Sequence, residues 1–167
     1  MSMAVRPLTQ GDYDALRDIR LEALARHPTA FAADPELESA MDRDAWLARL
    51  ASAVTLGGFV DDALMGIVVF SRPTSRKLAH TGDLGAMYVR GAARGSGLAD
   101  ALVTAAIETA AGSVEQIKLT VNAANTRAIR FYARHGFREI GRIPRSLNIA
   151  GIYYDEVLML RTITPRD

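Results

Sequence analysis

Tyr88-Val89-Arg90-Gly91-Ala92-Ala93-Arg94-Gly95-Ser96-Gly97-Leu98-Ala99 is the stretch whose reading decides this chain. An apolar run from Leu84 to Val89 enters this Gly-rich, Arg-marked turn. The turn leads straight into the apolar-periodic Leu98-Ala99-Asp100-Ala101-Leu102-Val103. The pattern predicts a strand, a tight turn and a helix. A helix opened by small residues exposes backbone N–H groups that have no intrahelical partner. With the positive end of the helix dipole they make an anion site suited to a pyrophosphate. Gly95 and Gly97 lack a Cβ, so a phosphate can approach the main chain closely. Arg94 adds a positive charge, available to the anion or to a surface carboxylate.

Two common phosphate loops do not fit. A P-loop needs Lys followed by Ser or Thr after its last Gly, and Leu98-Ala99 stands there. The dinucleotide fingerprint needs a third glycine, and Gly95-x-Gly97 is followed by Asp100 at that place, far from the N-terminus. The residues do match Arg/Gln-x-x-Gly-x-Gly/Ala, as Arg94-Gly95-Ser96-Gly97-Leu98-Ala99. This hexapeptide resembles the acyl-CoA pyrophosphate loop of the GNAT N-acetyltransferase superfamily.

A second segment resembles the same family. Leu119-Thr120-Val121-Asn122 ends a strand, and Asn125-Thr126-Arg127-Ala128-Ile129-Arg130-Phe131-Tyr132-Ala133-Arg134-His135-Gly136-Phe137 follows. Asn125 is placed to cap a helix by accepting from a backbone N–H further on. Ala128 and Tyr132, four apart, share one helix face. Gly136 suits the left-handed position after a helix end, and Phe137 then packs back. The resemblance implies that Tyr132 sits near the CoA sulfur and protonates the leaving thiolate, and that Asn125 and Ala128 lie against the cofactor. Read without the family, Tyr132 is an amphipathic core residue and Asn125 merely a cap.

The chain has 167 residues, enough for one domain spanning 1–167. Apolar content of 49% supports a core, and 23% charged residues argue against disorder. A formal charge of +1 gives no electrostatic case for nucleic acid. The absence of cysteine removes disulfides, a thiol nucleophile and thiolate metal sites. No apolar run approaches a membrane span, and Met1 to Arg6 lacks a signal-peptide core, so a cytoplasmic protein with no membrane partner is expected. His27, His80 and His135 stand apart from any acidic cluster of metal-ligand spacing, and no metal is expected.

Outward from the loop, the patterns predict strands at Ala4–Pro7, 54–60, 64–70, 81–89, 116–121, 137–142 and 152–160. Helices are expected at 12–25, from a cap at Asp42 to about Leu50, from Leu98 to about Ala110, and after Asn125. Asp61-Asp62 reads as a hairpin turn, 29–41 as a loop or broken helix, and Pro144–Ile149 as a connection. The order β-α-α-β-β-β-α-β-α-β-β follows that of GNAT proteins. The resemblance therefore implies an α/β fold with a mixed, mostly antiparallel central sheet, helices on both faces, and splayed strands holding acyl-CoA.

Acyl transfer from a thioester to an amine needs a held thioester, a neutral amine, a donor for the developing oxyanion and a proton for the thiolate. Proximity of two bound reactants supplies much of the rate. By resemblance, backbone groups of Met87, Tyr88 and Val89 would run beside pantetheine like an added strand, with an N–H near Met87 polarising the carbonyl. Acetyl-CoA is the implied co-substrate, and the acceptor a small-molecule or peptide amine. Two carboxylates are candidate bases. Asp83 shares the parity of Met87 and Val89, so regular alternation puts it on their face, where burial would raise its pKa; it reads equally as a strand-entry acid on a solvated edge. Glu22 on the first helix is the alternative base, or an ordinary surface acid. The resemblance draws the acceptor pocket from the first two helices and the last strands, which supply Glu22, Phe31, Asp34, Glu36, Glu38, Trp46, Tyr153, Tyr154, Asp155 and Glu156. Aromatics among acids suit a cationic amine with an apolar part. Rival readings are a non-catalytic acyl-CoA-binding sensor and a nucleotide-binding domain. Exposed sheet edges allow a homodimer.

Overall fold

Seven strands form one sheet in the computed structural model, which describes residues 1–163. They are β1 (Met3–Pro7), β2 (Val54–Val60), β3 (Ala63–Ser71), β4 (Thr81–Val89), β5 (Gln116–Asn122), β6 (Arg138–Ile149) and β7 (Ile152–Thr162). Their order is β1-β2-β3-β4-β5-β7-β6. Every pairing is antiparallel except β4 with β5. The helices are α1 (Tyr13–Arg26), α2 (Pro35–Ser39), α3 (Arg43–Ser52), α4 (Leu98–Ala110) and α5 (Thr126–Arg134).

Two cores cover the two faces of the sheet. On one, Leu98, Leu102, Val103 and Ala106 of α4 pack on Leu56, Val68, Phe70, Leu84, Ile117 and Val157, with Ala128 and Tyr132 of α5 beside them. On the other, Leu16, Ile19 and Ala23 of α1 and Trp46 of α3 pack on Leu64, Ile67 and Tyr88. Helices on both faces of a mixed sheet are the expected architecture. Asp61 and Asp62 carry φ values of 46° and 65°, the left-handed pair that a tight two-residue hairpin requires.

Three features of the path add to the sequence reading or correct it. Within the stretch read as a loop or broken helix, α2 forms because Asp34 caps it, accepting from Glu36 N–H at 2.8 Å, with Pro35 opening the first turn. The residues Pro144–Ile149, expected as a connection, continue β6 to the hairpin at Ala150-Gly151. β6 is the outermost strand, so Pro144 removes no ladder bond on its free side, and the register shifts between Ile143 and Leu147 to accommodate it.

The third feature shapes the site. Val69 faces Gly85 and Ile67 faces Tyr88, so Val68 alone opposes both Ala86 and Met87. Ala86, with φ of 53°, is the extra residue of a β-bulge. On its other side β4 meets β5 only through Thr81, Gly82 and Asp83, and beyond them the two strands part.

Candidate active site

The gap between β4 and β5 and the turn at its end form one continuous feature. Leu84 to Val89 line the gap after the last parallel pair, Asp83 with Lys118. Arg90 then fixes the turn: its N–H donates to Met65 O at 2.8 Å and its Nη1 to Leu64 O at 3.0 Å. Gly95 and Gly97 adopt φ values of 78° and 90°, which L-residues with a Cβ avoid. A Cβ built on either would meet nothing within 4 Å, so the loop opens on free space. Among the described residues the N–H groups of Gly95, Gly97, Ala99 and Asp100 have no hydrogen-bond acceptor, while Leu98 N–H is capped by Ser96 Oγ at 3.3 Å. Four free donors at the start of a thirteen-residue helix form an anion cradle. The residues present therefore fit a pyrophosphate.

Within the chain the Arg94 guanidinium is held by the end of β4 and by the residue that closes α1. Its Nε donates to Val89 O at 3.2 Å, and its Nη2 lies 2.9 Å from His27 Nε2. A guanidinium only donates, so His27 Nε2 accepts and the ring is neutral. Burial and the charges of Arg94 and Arg26 lower the His27 pKa, in keeping with that state.

The α5 side matches its sequence pattern closely. Asn125 caps the helix, accepting from Ala128 N–H at 3.1 Å. Tyr132 lies between Phe131 and Phe137, at ring-centroid distances of 5.3 and 5.8 Å, in the cluster that also takes Met87 and Val89. Its hydroxyl makes no hydrogen bond among the described residues, and burial raises the phenol well above its ordinary pKa. Gly136, at φ of 84°, ends the helix as expected.

The two candidate bases stand differently from each other. The bulge inverts the alternation of β4. Asp83, Gly85 and Tyr88 therefore share the face of Ile67, Val69 and Ser71, whereas Met87 and Val89 lie on the opposite face with Val68. The parity argument that put Asp83 with Met87 and Val89 is thus corrected: one extra residue, Ala86, switches the count. Asp83 is partly open, with its side chain 39% exposed, and pairs with Lys118 Nζ at 2.7 Å. Glu22 is held from both sides, by Tyr88 Oη at 2.8 Å and Arg90 Nε at 2.9 Å. Burial pushes its carboxyl up, but these two bonds and the cations Arg90 and Arg26 outweigh it and leave the pKa below the usual value.

A cavity of about 330 Å³ opens on the α1–α3 face of the sheet. It is walled by Leu16, Ile67, Val69 and Leu84 and ends at Asp83, Gly85 and Ala86, against the bulge. Neither Tyr153 nor Glu22 lines it. Tyr153 lies at the end of the β6–β7 hairpin, 49% exposed, with the Arg145 guanidinium 3.9 Å from its ring centre. Phe31 sits beneath the Arg20 guanidinium at 5.3 Å. Of the acids expected to meet a cationic amine, Glu36 is exposed and Glu156 accepts from Ser146 Oγ, and the others are engaged. Asp34 caps α2, Glu38 is bound by Arg20 and Arg49, and Asp155 receives Arg145 N–H at 2.9 Å. The cluster of Arg20, Glu38 and Arg49 was not foreseen, because its members come from three separate helices.

Among the described residues no group of three His, Cys, Asp or Glu could hold a metal ion, and no helix is long and apolar enough to cross a membrane.

The same arrangement of strands and helices recurs in solved structures. A GNAT-family acetyltransferase from Streptococcus pneumoniae superposes with a TM-score of 0.87 at 23% identity, over 98% of this chain and 100% of the other. A putative acetyltransferase from Salmonella typhimurium, solved with its cofactor acetyl-CoA, gives 0.86 at 20% identity over 100% and 97%. A ribosomal-protein-alanine N-acetyltransferase from Brucella melitensis gives 0.79 at 22% identity over 95% and 99%. At these identities the likeness is one of fold. No curated protein sequence matches the chain. The family model of the GNAT acetyltransferases matches residues 15–137, which hold the bulged strand, the phosphate loop and the α5 block together, and the chain belongs to that family.

Proposed function

We propose that the protein is an acetyl-CoA-dependent N-acetyltransferase that transfers the acetyl group directly to a primary amine. The observation that carries this reading is the alignment of the Gly95–Asp100 anion cradle with the open gap between β4 and β5. When bound, acetyl-CoA supplies an activated thioester carbonyl. The free N–H groups of Gly95, Gly97, Ala99 and Asp100 hold the pyrophosphate, and backbone groups of Met87, Tyr88 and Val89 receive pantetheine along the gap. Ser96 supports the loop by capping Leu98 N–H. A backbone N–H at Met87 donates toward the carbonyl oxygen, where negative charge develops.

Proton handling divides between the two faces. Asp83 reaches the cavity on the α1–α3 side and takes the proton of the incoming amine, directly or through water. Glu22 is set aside as the base because it does not line that cavity and both its oxygens accept bonds, from Tyr88 and Arg90. Tyr132, on the α4–α5 side, keeps a proton on Oη for the leaving sulfur. A base and an acid on opposite sides of the same strand fit an amine that enters from one face and a thiol that leaves on the other.

Calorimetric titration with acetyl-CoA, with desulfo-CoA and ATP as controls, tests the reading, followed by amine-dependent release of free thiol. Micromolar binding of both CoA species, no competition by ATP, and thiol release that needs an amine are expected. Absence of CoA binding, or displacement by ATP, would overturn it. Binding with no thiol release from any amine would favour the sensor reading.

A further inference from the structure

The turn Pro28–Ala30, which follows α1, is bonded to both sides of the gap between β4 and β5. On one side His27 lies against the end of β4. Its ring is 5.7 Å from that of Tyr88, and its Nε2 accepts from Arg94 Nη2 at 2.9 Å. The same guanidinium donates from Nε to Val89 O at 3.2 Å, so His27 holds the residue that leads into the anion cradle. On the other side Asn122, the last residue of β5, donates from Nδ2 to Thr29 O at 2.9 Å. The chain from His27 to Thr29 thus runs from one strand end to the other.

Both anchors sit on the α1 face of the sheet. Tyr88 packs with Leu16 and Ile19 of α1. Leu119 and Val121 pack on the α4 side, so alternation turns Asn122 the opposite way. The Asn122 amide is 6% exposed and engaged at both ends, for its Oδ1 also accepts from Ala124 N–H at 2.9 Å. A buried amide paired in this way fixes one arrangement of its neighbours. The place matters because β4 and β5 pair only through Thr81, Gly82 and Asp83. Their far ends have no ladder to set their separation, and the turn is bonded to both.

Building on the acetyltransferase reading above, we propose that His27 and Asn122 are positioning residues for acyl-CoA: by pinning one turn to both sides of the gap they set the width of the slot for pantetheine. Neither residue needs to touch the cofactor. The brace acts by preorganisation, since a slot already held open needs less ordering when it is filled. His27 adds a second effect through Arg94, whose guanidinium it keeps at the end of β4 beside the cradle. That role requires an acceptor atom on residue 27, because a guanidinium only donates.

Calorimetric titration with acetyl-CoA, with no amine present, tests this by binding alone. His27→Ala and Asn122→Ala should each raise the Kd about fivefold or more, the scale of one lost hydrogen bond. The double variant should bind no more weakly than the weaker single one, because either loss already frees the turn. Two separate contacts with the cofactor would instead add. His27→Gln keeps an acceptor for Arg94 and should recover wild-type affinity to within about twofold. If Asn122→Ala fails to fold, Asn122→Asp takes its place, since it retains the acceptor for Ala124 N–H and loses the bond to Thr29. Unchanged affinity in either single variant, additive losses in the double one, or no recovery in His27→Gln would overturn the brace while wild-type binding upholds the cofactor. Wild-type protein that binds no acetyl-CoA would overturn the acetyltransferase reading, and the brace with it.

Discussion

Tyr132 keeps its proton because its surroundings offer the phenolate nothing. Phe131 and Phe137 flank the ring, and burial is the whole cause of its raised pKa. The phenol therefore stays protonated across any workable assay pH, and no basic limb in the rate profile will belong to it. Tyr132→Phe removes the proton and little volume. It should lower kcat by about 10²-fold, the scale of one general acid, while the acetyl-CoA Kd measured by calorimetry stays within a factor of about two. Asp83 makes the complementary prediction. Asp83→Asn should lower turnover while acetyl-CoA binding persists, whereas Glu22→Gln should keep most of the turnover, since Glu22 is tied to Tyr88 and Arg90. Turnover that survives in Asp83→Asn and collapses in Glu22→Gln would reverse the assignment. At this scale much was legible in the sequence. Asn125 as a cap, Gly136 after the helix and Ala128 beside Tyr132 are local, and local geometry follows from spacing. The partner of Arg94 was not legible, because His27 lies 67 positions away in the chain.

Elements were legible where period and punctuation agreed, and the exceptions have physical causes. β4 reads as a regular strand, yet Ala86 bulges, and nothing in Gly85-Ala86-Met87 signals it beyond a glycine. A bulge answers to the strand opposite, here Val68, so single-strand alternation is blind to it. The bulge turns Asp83 toward the cavity on the α1–α3 face and Met87 and Val89 toward the α4 side. Pro144 misled in the other direction, because a proline ends a central strand but is tolerated on an edge. Where α1 ends, His27 bridges to the phosphate loop through Arg94, which gives a pH dependence. The folded-state pKa of His27 lies below its ordinary value of 6.5, chiefly through burial and then the Arg94 charge. Its neutral form is thus the one that folding favours. The stabilising contribution is present above the unfolded pKa and is lost as pH falls below it. The melting temperature should accordingly decline on acidification below about pH 6.5, within the range where His titrates, and His27→Gln should flatten that decline. An equal decline in the variant would remove His27 from the cause.

At the scale of the whole molecule, the first three helices are joined to one another by charge as well as by apolar packing. Glu38 on α2 is 5% exposed and binds Arg20 on α1 and Arg49 on α3. The sequence shows these as an acid and two bases separated by 18 and 11 positions, with no period to connect them. That is why Glu38 read as an acid for a cationic substrate, when it is the counter-ion that allows Arg20 to be buried. The fold as a whole was legible because the loop and the α5 block each fix a strand–helix unit. The α1–α3 side was not, because it is assembled from long-range pairs. Removing Glu38 would leave a buried guanidinium with no counter-charge, a loss of about 3–5 kcal/mol. Domains of this size are stable by about 5–15 kcal/mol, so Glu38→Ala should sit near the edge of folding. Glu38→Gln retains a hydrogen-bond acceptor and should lose less. The folded-state pKa of Glu38 is lowered, so its contribution is present above the unfolded value of 4.5 and disappears as pH falls below it. Urea unfolding at pH 7 and at about pH 4 separates the effects: the gap between wild type and Glu38→Gln should narrow at the lower pH. An unchanged gap would mean that Glu38 acts in the fold through its shape and not its charge.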